Sequence, residues 1–115
     1  MGARVLLLGA LVAVGVGRVA MADGTREVAA RLDNERDQCN FLIMLCREAN
    51  RAAKISANTP ARTDVLAMKH AHEAEMHAQD AYDAADVIAA KYPPGKPPSC
   101  FSSPECRFLK NRPAR

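Results

Sequence analysis

Apolar and small residues recur along this chain at alternating steps of four and three. Val28, Leu32, Cys39, Leu42, Cys46, Ala49 and Ala53 keep that spacing, with Glu35 as the one polar intruder. Such an alternation is the seam of a helix lying lengthwise on another helix. No proline or glycine interrupts residues 25–58, so the pattern predicts a single helix over about that range. Pro60 breaks it. Thr63 or Asp64 then offers an N-cap for a second helix over about 63–91, which Pro93, Pro94 and Gly95 stop.

The second helix carries the stricter signal, because Ala67, Ala71, Ala74, Ala78, Ala81, Ala85 and Ile88 repeat the same steps. Side chains this small let a neighbouring backbone approach closely. A connection of about five residues makes the two helices antiparallel neighbours. The expected fold is all-α: an antiparallel two-helix hairpin with an alanine-rich seam, followed by an extended, proline-rich C-terminal tail.

The first 22 residues have a different pattern and are expected to lie outside that fold. A charge at Arg4, an apolar stretch over residues 5–17 and the small-x-small ending Ala20-Met21-Ala22 make a cleavable secretory signal, with cleavage before Asp23. Arg18 ends the apolar run at about thirteen residues, short of the roughly twenty that span a bilayer. No stable membrane insertion is expected after cleavage, a retained anchor being the alternative. The chain then divides into a signal (1–22), a helical hairpin (23–92) and a basic tail (93–115), in a secreted or periplasmic protein.

Removal of the signal alters the charge balance. The whole chain carries a formal +3, but Arg4 and Arg18 are two of its 16 basic residues, leaving 14 against 13 acidic ones. A near-neutral mature chain lacks the cationic surplus of a nucleic-acid footprint, so no nucleic-acid partner is expected. The distribution is uneven: acids dominate residues 63–90 and bases dominate residues 91–115. A basic tail after an acidic helix most simply folds back upon it.

With no tryptophan, two tyrosines and three phenylalanines, the chain cannot build a large aromatic core, and small domains in that position need staples. Four cysteines on an exported chain supply them. Cys39 and Cys46 are about 10 Å apart by helix rise, beyond the roughly 7 Å that a disulfide bridges, so each must find its partner in the tail. An extended tail rises about twice as fast per residue as a helix, and from Tyr92, placed level with Val28, it reaches Cys39 first. The expected bridges are Cys39–Cys100 and Cys46–Cys106, with the crossed pairing as the alternative.

The densest chemistry lies in residues 68–85. His70, Glu73 and His77 share one helical flank, and Met68, His72 and Met76 form a separate row. Imidazole with carboxylate suits zinc or copper, and thioether with imidazole suits cuprous copper. Residues seven apart on a straight helix cannot both reach one ion without help from another element, so a packed or solvated flank is the leading reading and a metal ion the alternative. No cofactor is expected. Ser99, Ser102 and Ser103 have no histidine near them in sequence, and a two-helix hairpin offers no cleft to dehydrate a carboxylate pair, so no enzyme is expected either. On the first helix, Phe41, Met44 and Leu45 form a second apolar sector that one hairpin partner cannot cover. Either the tail's Phe101, Phe108 and Leu109 roof it, or it docks a protein partner or a second copy of the chain. The functional expectation is a small exported, non-catalytic binding or accessory module, with a zinc or copper binder as the alternative.

Overall fold

The computed structural model describes residues 17–60 and 64–111, with side chains from residue 24 onward. The regular elements among the described residues are all helices: α1 (Gly17–Arg31), α2 (Glu35–Ala57), α3 (Asp64–Ala89) and two 3₁₀ helices, Ser99–Ser102 and Pro104–Asn111. Most of the expected signal lies outside the described residues. Its last six residues, 17–22, belong to the backbone of α1.

The single helix expected over 25–58 is in fact two. Asn34 takes an extended backbone (φ −123°, ψ 155°) and its side chain accepts a hydrogen bond from the Asp37 amide at 2.9 Å, which starts a new helix. Glu35 and Asp37 place negative charge in that helix's first turn, where the macrodipole favours it. The carbonyls left open where α1 stops are satisfied from elsewhere: Lys91 Nζ donates to Ala30 O at 2.5 Å and Leu32 O at 2.8 Å, and Gln38 Nε2 donates to Leu32 O at 2.9 Å. The four-three spacing runs across this break and conceals it.

Contacts with α3 climb in the same order along α1, where Arg26 pairs with Asp83 at 3.0 Å and Ala30 and Leu32 meet Lys91. Along α2 they run in reverse, for Gln38 accepts from the Tyr92 hydroxyl while Glu48, Arg51, Ala52 and Ile55 share a depression with His70, Glu73 and His77. The chain therefore doubles back at Leu32–Asn34, and α3 packs against both α1 and α2. Tyr92 lies level with Gln38, not Val28, because the first rod ends at Glu35. At the other end, Val65 and Met68 in the opening turns of α3 are left 83% and 71% exposed.

Burial is concentrated where the three helices meet. Ala29, Leu42, Cys46, Ala81, Ala84, Ile88 and Cys106 are fully buried, with Ala49, Ala85 and Cys100 nearly so. The alanine seam is thus tight only in its second half. Ala67, Ala74 and Ala78 are half-buried and Ala71 is exposed. On α1, Thr25 and Ala29 face inward and Val28 is exposed, since the break at residues 32–34 resets the helical phase.

The tail is not extended throughout. Pro93, Pro94, Gly95 and Lys96 form a turn closed by Lys96 N–H to Pro93 O at 3.0 Å, with Gly95 at φ +79°. That φ at the third turn position, after a proline, is the type II geometry that glycine satisfies without strain. The chain then winds into the two 3₁₀ helices, which carry the C-terminal cysteines back to α2. Cys39 is bonded to Cys100 and Cys46 to Cys106, with Cα–Cα distances of 5.4 and 5.3 Å. No free cysteine remains.

Candidate functional site

Glu35, the misfit in the hydrophobic spacing, has a structural task. Its carboxylate accepts from the Ser99 amide at 3.3 Å and the Ser99 hydroxyl at 3.1 Å, tying the first 3₁₀ helix to the start of α2 beside the Cys39–Cys100 bridge. Glu105 does the same one bridge along. Arg47 Nη2 lies 3.2 Å from its carboxylate, Asn50 Nδ2 donates to its carbonyl at 2.7 Å, and the Ser103 hydroxyl donates to its side chain. The Ser103 hydroxyl, the residue's own amide and the Arg47 guanidinium hold the Glu105 carboxyl below the usual carboxylate range. Each sulfur link is therefore accompanied by a carboxylate latch. Sequence spacing exposes neither latch, because each joins residues more than fifty positions apart.

The expected docking residues do not behave as a unit. Phe41 and Leu45 are half-buried against the core, whereas Met44 is 49% exposed. Met44 sits in a shallow depression on α2 with Asn40, Ile43, Arg47, Glu48 and Arg51. The tail's apolar residues turn toward α3 instead. Phe108 meets Tyr82 edge-on with centroids 5.9 Å apart, and Phe101 and Leu109 line a groove with Tyr82, Ala85 and Ala89. The surface around Met44 is left uncapped by those aromatic side chains.

The histidine flank is brought together in part. His70, Glu73 and His77 do line one depression, and α2 contributes Glu48 and Arg51 to it. His70 Nδ1 stands 3.3 Å from Glu73 Oε1, and Glu48 is engaged by Arg51 at 2.8 Å. Among the described residues, no three histidine, cysteine, aspartate or glutamate side chains stand close enough to hold a metal ion. Of the second row, Met68 and His72 are exposed and Met76 is half-buried.

One acid of α3 finds a cation on α1. Asp83 is 8% exposed and accepts from Arg26 at 3.0 Å and from Gln79 Nε2 at 2.9 Å. Among the described residues, no helix is long and apolar enough to cross a membrane. The two disulfides are consistent with an oxidising compartment. No protein-family model matches the chain, and no curated protein or solved structure matches it significantly.

Proposed function

We propose that this chain is a small exported, non-catalytic accessory or protein-binding module, released by cleavage before Asp23 into an extracellular or periplasmic space. The observation that carries the reading is the complete oxidation of all four cysteines into two bridges that hold the tail on α2. A chain that commits its cysteines to stapling a small core is built to persist outside the cell. In this reading α2 and α3 form an antiparallel, coiled-coil-like hairpin, and its outward face on α2 meets a protein partner or a second copy. The centre of that face is Met44, with Asn40, Ile43, Arg47 and Arg51 around it and Phe41 and Leu45 supporting it from the core side. An exposed thioether ringed by long polar side chains suits an apolar contact with a polar rim.

Light scattering on the mature oxidised protein tests this. A mass above that of one chain, returning to one chain in a Met44→Asp variant of unchanged helicity, supports association through this face. A monomer that neither self-associates nor gains a cross-linked partner in its native extracellular fluid would overturn it. Stoichiometric uptake of zinc or copper that disappears in a His70→Ala/His77→Ala variant would replace it with the metal-binding reading.

A further inference from the structure

Beyond the proposed docking face, the returning tail builds a second concave surface. A groove of about 340 Å³ lies between α3 and the tail, walled by Tyr82, Ala85 and Ala89 on one side and by Pro97, Phe101 and Leu109 on the other. Its size is at the lower end of small-ligand clefts, which run from roughly 300 to 1,000 Å³. The depressions around Met44 and His70 are rimmed by polar groups already engaged with one another, Arg47 with Glu105, Arg51 with Glu48 and the His70 ring with Glu73. This groove is instead apolar along its walls and carries charge only at its mouth, from Asp86 and Lys110. Asp86 is itself engaged within the molecule, whereas the Lys110 side chain has no hydrogen-bond or ion-pair partner among the described residues.

We propose that the groove binds a small amphipathic anion, a flexible apolar chain with a carboxylate-type head. The chain lies against Ala85, Ala89, Phe101 and Leu109, and the head meets the Lys110 ammonium. Apolar walls supply affinity without directional demands, and Lys110, whose side chain has no partner among the described residues, sets the ligand's charge and orientation. The site draws on the sulfur links, since the tail that forms one wall is tied to α2 at Cys100 and Cys106.

Calorimetric titration of the oxidised protein with dodecanoate, kept below its micelle concentration, tests the proposal, with dodecyltrimethylammonium as the cationic control. The expected result is saturable one-to-one binding of dodecanoate and none of the cation. Lys110→Glu, an exposed change, should weaken dodecanoate about tenfold, the scale of reversing one partly screened ion pair. Ser102→Trp, on the exposed tail rim of the groove, should fill the groove and abolish binding while both bridges and the helicity stay intact. Equal binding of anion and cation, no saturation, or an affinity indifferent to both variants would overturn the proposal. So would affinity that rises sharply when residues 112–115 are replaced by a Gly-Ser linker, because the groove would then belong to the chain's own end.

Discussion

At the residue scale, a few positions carry more of the fold than their neighbours. Leu42 and Ile88 are the largest fully buried aliphatic side chains, in a core otherwise made of alanine and sulfur. Leu42 is fully enclosed, so truncating it leaves a cavity at the centre of the packing. Leu42→Ala is therefore expected to cost about 3–5 kcal/mol, the upper part of the range for such changes, read as a fall in the urea midpoint at constant slope. Gly95 has open space around its α-carbon, so Gly95→Ala meets no clash and is penalised only for its φ of +79°. A loss of about 1 kcal/mol is expected, with no change in the disulfide map. Glu105 makes a third case, through pH. A carboxyl held below its usual range in the folded state contributes stability that is full above that range, about pH 4–4.5, and disappears as pH falls through its lowered value. The difference in melting temperature between the parent protein and Glu105→Gln should accordingly be largest near neutral pH and close toward pH 3. A constant difference across that interval would show that the latch is not ionic.

At the element scale, the fold is legible in the sequence where one helix face dictates the outcome and illegible where a distant residue does. The cysteine pairing was legible, because two cysteines seven apart on a helix cannot meet and the tail must reach the earlier one first. The break at residues 32–34 was not. Leu32 keeps the hydrophobic phase, and the groups that satisfy the stopped helix are Gln38 and the remote Lys91. Glu35 looked like an error in a seam and is an anchor for Ser99. Phe41, Met44 and Leu45 share a sector by angle, yet only Met44 is substantially exposed, because Phe41 and Leu45 pack against the buried core; nor does the pattern reveal that α1 folds back along α3. Lys91→Met tests that fold-back. With the Ala30 carbonyl stripped of the Lys91 donor and the Leu32 carbonyl left to Gln38, amide exchange in residues 25–31 should quicken while α2 and the second half of α3 keep their protection. The two bridges also differ in what they do as elements. With Cys39–Cys100 in place, Cys46–Cys106 closes a circuit of only seven residues on α2 and six in the tail. Its removal is expected to cost about 3 kcal/mol in the chain-entropy view, with the loss of two fully buried sulfurs added to that.

At the scale of the whole molecule, three helices and a returning tail share one small core, and the tail, bonded to α2, also reaches α3 through Phe108 and the apolar groove. Two surfaces follow from this layout, the exposed face around Met44 and the apolar groove beside Lys110. They lie on different elements and call for different ligands, so a partner bound at Met44 should leave dodecanoate titration unchanged. The sulfur links have a further consequence for a protein exposed to flow or traction. A pull on the two ends passes from Cys39 into Cys100, or from Cys46 into Cys106, and bypasses the sixty or so residues between them. The segment from Asn58 through the whole of α3 carries no tension. In a single-molecule stretching experiment the oxidised chain should lengthen only outside the bridged segment, and reduction should release about 200 Å more at full extension.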